Sequence, residues 1–397
     1  MSAPLHGIKV LELARVLAGP WAGQVLADLG ADVIKIERPG SGDDTRAWGP
    51  PFVHGARGEN LGAAYYHAIN RNKRSVAADL RKPEDLELVR ALAREADVLI
   101  ENFKLGDLNE HGLDYASLRG KNPRLIYCSI TGFGQTGPYA HRAGYDLIVQ
   151  GMGGIMDLTG EPDGEPMRTG VAYADVFTGV YAAAAIEAAL IARAKSGEGQ
   201  YIDLSLLDVQ VSVLANQALN YLVSGTPPKR MGNAHVNVVP YQVFPTADGH
   251  MIIAVGNDGQ FRQACAVLGL GGFPDDPRFR TNGDRNRNRK ELIPALAART
   301  QAWKKADLLA ALEKVGVPAG PIQDLAEVFA DPQVVARKMR VDLAETSAGG
   351  VSIPGVRSPI TMSATPLRYE HPSPRLGEHT EEVRAAVKAG RPAFRGG

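Results

Sequence analysis

The sequence predicts an α/β fold in which helices cover both faces of a parallel sheet. A strand–helix–strand unit occupies residues 8–37, and strand-like and helical patterns keep alternating as far as residue 204. No internal repeat or low-complexity segment breaks this alternation. The pattern is typical of doubly wound sheets, because right-handed helical crossovers join their consecutive parallel strands.

The opening unit defines its own boundaries. The apolar run Ile8 to Leu13 predicts a buried strand, and Asp32 to Glu37 predicts the next one. Between them, Pro20 to Leu29 predicts a helix, because proline is favoured in a first helical turn and Gly30 follows the end. These elements predict a large doubly wound, Rossmann-like domain.

The alternation continues with a helix, two strands, a long helix and a further strand: Pro83 to Ala96, Val98 to Glu101, Arg124 to Ile130, about Asp175 to Ala194, and Tyr201 to Leu204. The apolar part of the long helix, Val176 to Ile191, contains Glu187. We therefore interpret it as a buried helix and not as a membrane span.

Turn-forming and charged residues between Ser224 and Arg230 indicate a linker between two domains. We predict that residues 1–224 begin the large α/β domain, that residues 225–330 form a smaller α+β domain, and that residues 331–397 return to complete the large domain. In the smaller domain and the tail, the patterns predict one strand and four helices: Met251 to Val255, Gln260 to Leu268, Arg289 to Trp303, Ala306 to Val315 and Glu381 to Lys388.

Composition restricts the class of protein. The 397 residues contain 44 basic and 44 acidic side chains, and this balance argues against a dedicated nucleic-acid-binding protein. Cys128 and Cys265 are too few for a disulfide framework and match no metal-ligand spacing, which favours a reduced, cytoplasmic setting. The first residues do not resemble a signal peptide. We expect no metal, no nucleic acid and no membrane partner.

One glycine motif, Gly132 to Gly137, follows a predicted strand and matches the G-x-G-x-x-G pattern of dinucleotide-binding folds. Pro138 follows it directly, no helix pattern opens there, and the expected acidic residue is missing. A loop that lets another ligand approach the backbone is the favoured interpretation. A nicotinamide oxidoreductase stays an alternative, which the absence of NAD(H) binding in a titration would exclude.

Several polar residues suit both a structural and a functional role. Arg38 and the cluster Asn72 to Arg74 fit either phosphate binding or a solvated surface. Asp175 precedes the long apolar helix and fits either an N-cap or a rigidly held nucleophile or base. Arg285 to Lys290 lie at a predicted helix start, where cations are not favoured, and are interpreted as surface. His141 is interpreted as structural or surface.

Seven segments form one ordered pattern along nearly the whole chain: Val10–Leu13 with Leu17–Pro20, Gly30–Glu37, Gly42–Arg46, Asn72–Ser75, Glu101–Phe103, Thr131–Gly134 and Tyr173–Asp175. Their order and spacing resemble the family III coenzyme A transferases, the CaiB/BaiF group that includes formyl-CoA transferase and alpha-methylacyl-CoA racemase. The resemblance implies a two-domain α/β subunit and a homodimer whose subunits are interlocked.

The resemblance also implies roles by position. Asp175 matches the nucleophile, which attacks an acyl-CoA thioester and forms first a mixed anhydride and then an aspartyl-CoA thioester. CoA is then a substrate, with no permanently bound cofactor, and its predicted contacts are Leu17, Ala18, Arg38, Asn72, Lys73, Arg74, Asn102 and Phe103. A loop matched by Gly256, Gly259 and Gln260 would cover the reactive intermediates from water.

Three positions depart from particular members. Leu17 stands where formyl-CoA transferase has a glutamine, which argues against oxalate and formate exchange, and Glu110 stands where many members have an arginine near the nucleotide. Tyr145 stands where the racemase branch has a histidine. Racemisation needs a base on each face of the α-carbon, and tyrosine, with an ordinary pKa near ~10, is a poor one. The transferase is favoured, with 2-methylacyl-CoA racemase as the alternative.

The acceptor follows from two further segments. Gly232–His235 and Val239–Gln242 resemble members that use succinyl-CoA with dicarboxylates such as glutarate, itaconate or mesaconate. The second carboxylate needs a cation, because a buried unpaired charge is costly. Arg46 and Arg168 are the candidates, and Trp48 and Tyr145 are also predicted on the substrate side. We predict CoA transfer from succinyl-CoA to a dicarboxylic acid; a CoA-binding protein without catalysis is a further alternative.

Overall fold

The computed structural model describes residues 2–345 and 351–395. The chain divides into two compact units, the first of residues 1–155, 168–222 and 332–397 and the second of residues 156–167 and 223–331. The predicted boundaries put residues 156–167 in the large domain. They group with the second unit because Arg230 pairs with Asp157 at 2.9 Å and the Gly232 N–H donates to Gly160 O at 3.0 Å.

The strands of the described chain are β1 (Lys9–Glu12), β2 (Asp32–Glu37), β3 (Phe52–His54), β4 (Asn60–Ala63), β5 (Lys73–Ala77), β6 (Val98–Glu101), β7 (Ile126–Thr131), β8 (Tyr201–Ser205), β9 (Tyr241–Thr246), β10 (Gly249–Ala254), β11 (Ala319–Pro321), β12 (Arg340–Glu345) and β13 (Val351–Val356). A parallel sheet joins six of them in the order β5-β2-β1-β6-β7-β8. The predicted α/β class with a parallel sheet is confirmed, and β2 and β6 have the predicted bounds.

The α-helices of the described chain are α1 (Ala18–Asp28), α2 (Ala64–His67), α3 (Pro83–Glu95), α4 (Tyr115–Arg119), α5 (Asp146–Met152), α6 (Ile155–Leu158), α7 (Tyr173–Ser196), α8 (Leu206–Ser212), α9 (Ala215–Ser224), α10 (Asp258–Val267), α11 (Asn282–Arg287), α12 (Arg289–Thr300), α13 (Lys305–Lys314), α14 (Leu325–Ala330), α15 (Pro332–Ala336) and α16 (Thr380–Lys388). Short 3₁₀ helices cover Asp44–Ala47 and Phe273–Asp275. α1 begins two residues before the predicted proline start.

The central strands β1 and β6 carry apolar side chains on both sides because helices cover both faces of the sheet. Val10 and Val98 point into a core cluster that contains residues of α1 and α7. Their neighbours Leu11 and Leu99 point the other way, into a cluster that contains residues of α3 and α16. Successive side chains of a strand alternate between faces. Adjacent apolar residues such as Val10–Leu11 and Val98–Leu99 therefore mark the central strands in the sequence.

α7 is long and apolar enough to cross a membrane by length and composition alone. In the fold it packs against α1, and Ala174, Ala182, Ala183 and Ile186 are buried in the core cluster on that face of the sheet. A core helix meets the same test of length and composition. The packing thus gives α7 a role in the core, and it places the first turn of α7 beside the first turn of α1.

The second unit contains an antiparallel sheet in the order β11-β10-β9. Within it Arg285, interpreted from the sequence as surface, has an exposed fraction of 1%. Its guanidinium pairs with Asp258 at 2.8 Å and donates to Val239 O at 2.7 Å, and it lies over the ring of Phe261. The charge can be buried because these partners replace its water.

Candidate active site

The strand order creates a crevice between β1 and β6. The chain builds β1, β2 and β5 outwards on one side and then returns to place β6, β7 and β8 on the other. At such a switch point the loops after the two central strands diverge, and α/β sheets bind ligands there, beyond the carboxyl ends of the strands. Residues 13–17 follow β1 and residues 102–105 follow β6 at this edge.

Two cavities open at this edge of the sheet. The Asp175 cavity, of about 140 Å³, is lined by residues from the loops after β1, β6 and β7 together with Asp175. The Arg38 cavity, of about 260 Å³, is lined by residues from the loops after β1, β2 and β5, including Arg38. Arg15 and Phe103 line both cavities. A long ligand can therefore lie across the two, with one end at Asp175.

Asp175 lies in the first turn of α7 but is not its N-cap. Ala172 occupies the N-cap position, without a side-chain hydrogen bond to the helix. Asp146 of α5 supplies the missing acceptor, because its carboxylate receives the Ala174 N–H at 2.9 Å and the Asp175 N–H at 3.3 Å. The capping interpretation of Asp175 is thus wrong, and its own side chain faces the cavity.

The helices α1 and α7 approach closely beside Asp175. A Cβ atom at Gly179 would lie 2.7 Å from Ala18 O and 2.8 Å from the Trp21 side chain, so glycine is required there. This close approach brings the Ala18 backbone N–H near the Asp175 carboxylate, where it favours the ionised form. Ala18, predicted as a CoA contact, therefore also lies beside the predicted nucleophile, and both residues line the same cavity.

The surroundings of Asp175 oppose its ionisation. Burial first, and the negative charge of Asp146 second, raise the pKa of Asp175 to about 7, and the hydrogen bond from Ala18 acts in the opposite direction. A carboxyl group with this pKa is about half ionised at neutral pH. It is held rigidly at a helix start and faces a cavity, which suits a nucleophile or a general base.

An aromatic pair lies within the electrostatic influence of the Asp175 carboxyl group. Tyr65 of α2 is half-buried, and burial followed by the charges of Asp175 and Asp146 raises its pKa to about 12. Trp48, predicted on the substrate side, contacts the Tyr65 ring edge-on with ring centroids 5.4 Å apart. The sequence analysis missed Tyr65, because no spacing rule connects residues so far apart in the chain.

The rim of the Asp175 cavity carries further polar groups. Tyr145, predicted on the substrate side, lines it from the residue directly before α5 and is exposed. His141 and Arg142 line the same cavity, although the sequence analysis gave His141 only a structural or surface role. Leu17, a predicted CoA contact, also lines it and is buried. The cavity thus offers an imidazole and a guanidinium beside an apolar wall.

The Arg38 cavity combines cations with an aromatic ring. Arg38 directly follows β2, and residues 78–81 directly follow β5. Arg81 pairs with Asp79 at 2.9 Å, and Phe103 is anchored by its N–H, which donates to the Glu101 carboxylate at 2.8 Å. Residues 78–81 were missed from the sequence. Their position after a strand of the parallel sheet is the signal that predicts them.

The basic cluster Asn72 to Arg74 lies at the opposite edge of the sheet. Lys73 begins β5, whereas both cavities lie beyond the carboxyl ends of the strands. The cluster is engaged in the fold: Lys73 pairs with Glu12, Arg74 pairs with Asp32, and the Asn72 amide donates to Asp28. None of these three residues lines either cavity, so nothing at this edge of the sheet supports the prediction that they contact CoA, and it stays a prediction.

Comparison with known proteins decides the family. The sequence pattern of CoA-transferase family III matches residues 5–380. This chain belongs to the CoA-transferase family III. The predicted resemblance is confirmed, and the chain is an enzyme of a family whose substrates are CoA thioesters.

Relatives of this CoA-transferase are similar over almost its whole length. The succinate–glutarate CoA-transferase of Agrobacterium fabrum is 64% identical over 385 residues, which cover 97% of this chain and 96% of that protein. The succinyl-CoA:glutarate CoA-transferase of Mus musculus is 45% identical over 380 residues, covering 96% and 85%. The crystal structure of a CaiB/BaiF family protein from Brucella suis matches with a TM-score of 0.86 and 59% identity, over 98% of this chain and 100% of that one.

The two arginines predicted for a remote carboxylate lie in different surroundings. Arg46 donates to the Glu37 carboxylate at 2.7 Å and to Tyr66 Oη at 2.6 Å, and its guanidinium lies 3.7 Å from the centroid of the Tyr66 ring. These contacts engage Arg46 inside the fold of the transferase. Arg168 is exposed in the segment before α7. An incoming dicarboxylate would have to displace Glu37 to reach Arg46.

The predicted covering loop lies in the second unit of the transferase. Gln260 accepts the Gly256 N–H at 2.8 Å through its side-chain oxygen, and Asn257 accepts the Gln260 N–H at 2.9 Å and thereby caps α10. Gly256 and Gly259 are exposed. The glycines thus lie in a solvent-exposed turn at the start of α10, and side-chain hydrogen bonds from Asn257 and Gln260 hold this turn together.

The glycine motif of residues 132–137 serves a crossing of two segments. A Cβ atom at Gly132 would lie 2.4 Å from the Cα of Gly144. Dinucleotide binding requires a helix that begins at the glycine motif. In the described chain the next helix after the motif is α5, which begins only at Asp146. Across residues 2–345 and 351–395, no group of three or more His, Cys, Asp or Glu side chains is arranged to hold a metal ion.

Proposed function

We propose that this family III CoA-transferase moves CoA from succinyl-CoA to a dicarboxylic acid, with glutarate as the first acceptor to test. The observation that carries the proposal is Asp175, a carboxyl group with a pKa raised to about 7 that faces a cavity at the carboxyl edge of the sheet. The names of the Agrobacterium and mouse relatives, both transferases between succinate and glutarate, support these substrates.

In the proposed mechanism, ionised Asp175 attacks the thioester carbonyl of succinyl-CoA. The carbon–sulfur bond breaks, CoA leaves as a thiolate, and a mixed anhydride joins Asp175 to the succinyl group. The thiolate then attacks the aspartyl carbonyl, which releases succinate and leaves an aspartyl-CoA thioester. Glutarate attacks this thioester and forms a second anhydride. The thiolate takes the glutaryl group and restores Asp175.

We assign CoA to both cavities. Its phosphates lie in the Arg38 cavity, where the guanidinium groups of Arg38 and Arg81 suit charge-assisted hydrogen bonds. The pantetheine arm passes Arg15 and Phe103, which line both cavities, and the thioester reaches Asp175. The thioester and the aspartyl carboxylate supply the whole of the chemistry in this scheme. We therefore propose that the enzyme carries no permanently bound cofactor or metal.

The predicted organisation is proposed together with this function. We propose two domains as predicted, a large one that residues 1–224 begin and residues 331–397 complete and a smaller one of residues 225–330, against which residues 156–167 pack. The turn around Gly256 to Gln260 is proposed to cover the intermediates from water. Limited proteolysis that first cuts near residue 225 and near residue 330 would support these boundaries. Cleavage that begins inside the parallel sheet would contradict them.

We also propose a cytoplasmic homodimer with interlocked subunits and without a nucleic-acid or membrane partner. Large apolar side chains on α7 and α9 are exposed, among them Val180, Ile191, Leu219 and Leu222. Apolar surface of this kind is typical of a face that meets another protein. Light scattering during size-exclusion chromatography should give twice the mass of the 42.4 kDa chain. The mass of one chain would contradict the dimer.

The transferase is tested by mass spectrometry of the purified protein with succinyl-CoA and one free acid at a time. The acids are glutarate, itaconate, mesaconate, malate, oxalate and formate. Glutaryl-CoA and free succinate should appear in equal amounts, and Asp175→Ala should form neither. The proposal fails if none of the acids yields a new acyl-CoA.

The anhydride route has an isotopic signature. An oxygen of the acceptor becomes part of the Asp175 carboxylate when glutaryl-CoA leaves, and in the next turnover it departs with succinate. Glutarate labelled with ¹⁸O in its carboxylates should therefore pass label to succinate. Unlabelled succinate after many turnovers would exclude the route through Asp175.

A 2-methylacyl-CoA racemase is the second candidate, and one observation favours it. His141 and Asp175 line the same cavity, so two proton acceptors face one space. This function predicts deuterium uptake at the α-carbon of a branched acyl-CoA without any acceptor acid. If wild type and Asp175→Ala are equally inert in both assays, CoA binding without catalysis is the function that remains.

A further inference from the structure

The turn between β1 and α1 is held at three successive residues by side chains from other elements. Lys35 donates to Ala14 O at 2.7 Å. The Asn102 amide accepts the Arg15 N–H at 3.0 Å and donates to Arg15 O at 2.7 Å. The Val16 N–H donates to both carboxylate oxygens of Asp43, at 3.3 Å each.

Val16 needs this support because its backbone is strained. Its φ of 71° lies in the left-handed region, where a β-branched residue is a genuine outlier. Such conformations persist only where surrounding contacts determine them, and they occur at active sites. The anchors at Ala14, Arg15 and Val16 itself supply those contacts, and Ala18 follows Val16 by two positions.

Asp43 is itself fixed within a buried group of charges. Its carboxylate pairs with Lys35 at 2.9 Å and accepts the Thr45 N–H at 3.0 Å and the Thr45 hydroxyl at 2.8 Å. Lys35 also pairs with Glu12 at 2.8 Å. Burial opposes ionisation, but the charge of Lys35 and the hydrogen bonds from Thr45 lower the pKa of Asp43 to about 2. Asp43 is therefore a charged and rigid acceptor at neutral pH.

We propose that Asp43 is a positioning residue for CoA transfer: its carboxylate fixes the strained turn at Val16 so that the Ala18 N–H stays on the carboxylate of Asp175. The inference rests on the proposed function of Asp175 and deepens it. Asp43 acts through the backbone of residues 16–18, which connects its hydrogen bond directly to the first turn of α1.

The proposal predicts that the pKa of Asp175 rises in Asp43→Asn, whereas the removal of a negative charge alone would lower it. Loss of the Ala18 hydrogen bond would disfavour the ionised form of Asp175, and loss of a negative charge at residue 43 would favour it. The other charged or titratable groups at Asp175 are Asp146 and Tyr65, with Arg15, Lys104, His141, Arg142 and Tyr145 on the cavity wall. The groups around Asp43 are Lys35, Glu12, Glu37, Arg46, Tyr65, Tyr66 and Lys73. All of these groups remain in an Asp43→Asn variant.

The test compares kcat/KM for succinyl-CoA across pH in the wild type, Asp43→Asn and Asp28→Asn. Asp28→Asn is the matched control, because it neutralises another buried carboxylate, paired with Arg71 at the far end of α1. For Asp43→Asn we expect kcat to fall about ten- to hundredfold. The acidic limb of the plot of kcat/KM against pH should move to higher pH by about half to one unit. Asp28→Asn should lower thermal stability and leave the limb in place.

A milder variant guards against misfolding of Asp43→Asn. Thr45→Val keeps the shape and the backbone N–H but removes the hydroxyl that donates to Asp43, so it should shift the limb in the same direction by less. The proposal is overturned if the limb stays in place or moves to lower pH in both variants. It is equally overturned if both lose only stability, as the control does.

A readout without turnover separates this proposal from the proposed function. Thermal unfolding is measured across pH for two pairs of proteins: wild type with Asp175→Asn, and Asp43→Asn with the double variant Asp43→Asn/Asp175→Asn. Within each pair, the difference in stability as a function of pH reports the pKa of Asp175. A higher pKa in the Asp43→Asn background supports positioning even if no acceptor acid is found. If the enzyme transfers CoA but the pKa of Asp175 is the same in both backgrounds, the positioning role of Asp43 is refuted and the proposed function stands.

Discussion

Replacement of Asp146 by asparagine should move the pH dependence of CoA transfer to lower pH. The charge of Asp146 is, after burial, the second cause that raises the pKa of Asp175 to about 7. Asparagine keeps an oxygen that can accept the Ala174 N–H, now received at 2.9 Å, so the start of α7 stays capped. The variant therefore removes a charge with little change in shape.

The expected size follows from the ionised fraction of Asp175. With a pKa of about 7, about one eleventh of the carboxyl groups are ionised at pH 6. One pKa unit corresponds to about 1.4 kcal/mol, a plausible scale for one charge–charge interaction in a partly buried site. If the pKa falls by about one unit, about half are ionised at pH 6, and kcat/KM there rises about fivefold relative to its plateau.

The assay is kcat/KM for succinyl-CoA with saturating glutarate from about pH 5 to about pH 9, because this ratio reports the pKa values of the free enzyme. Asp157→Asn is a suitable control, since Asp157 is an exposed carboxylate paired with Arg230 in the second unit. Its profile should match the wild type. An acidic limb that is unchanged or shifted upwards in Asp146→Asn would refute the electrostatic reasoning.

Three other substitutions probe the nucleophile, the helix crossing and the CoA path. Asp175→Asn should lower kcat by at least about a thousandfold. The pKa of Asp175 in the folded protein is raised above 3.8, so ionisation of this group lowers the stability of the wild type progressively from about pH 4 to pH 7. Asp175→Asn should therefore unfold at a higher temperature than the wild type at pH 8 but not at pH 4. Equal unfolding midpoints at pH 8 would contradict this. Gly179→Ala should lower the free energy of unfolding by about 1–3 kcal/mol, because the added Cβ would overlap Ala18 O. Urea denaturation measures this loss, and an unchanged midpoint would contradict the close crossing of α1 and α7. Phe103→Ala should raise KM for succinyl-CoA about fivefold, the equivalent of about 1 kcal/mol of aromatic contact, and a change confined to kcat would place CoA elsewhere.

The sheet could be predicted from the sequence because its strands are buried on both faces. The apolar residues within Asp32–Glu37 and Val98–Glu101 indicate these two strands, and charged or turn-forming residues mark their limits. Short helices give no such signal: α5 has seven residues, and few of them are buried. Because α5 was not predicted, neither was the role of Asp146, which depends on α5 meeting the start of α7.

The CoA contacts show which information a linear pattern lacks. Lys73 and Arg81 are both basic and both adjoin β5, one at its start and one just beyond its end. Residue type and resemblance pointed to the first, but the direction of the strand places the second at the edge that carries both cavities. The carboxyl ends of parallel strands meet at one edge, and only that edge carries the switch point. The same reasoning recovers Arg38, which directly follows β2.

The pKa of Asp175 results from opposing contacts with different structural origins. Burial and Asp146 favour the protonated acid, while the Ala18 N–H favours the carboxylate. A nucleophile of low pKa would be fully ionised but would attack a thioester weakly, and one of high pKa would seldom be ionised. A value near the working pH gives the largest product of ionised fraction and reactivity. Since Asp146 and Asp43 act from opposite sides of this balance, Asp146→Asn and Asp43→Asn should displace the acidic limb in opposite directions, a contrast that a general loss of stability would not produce.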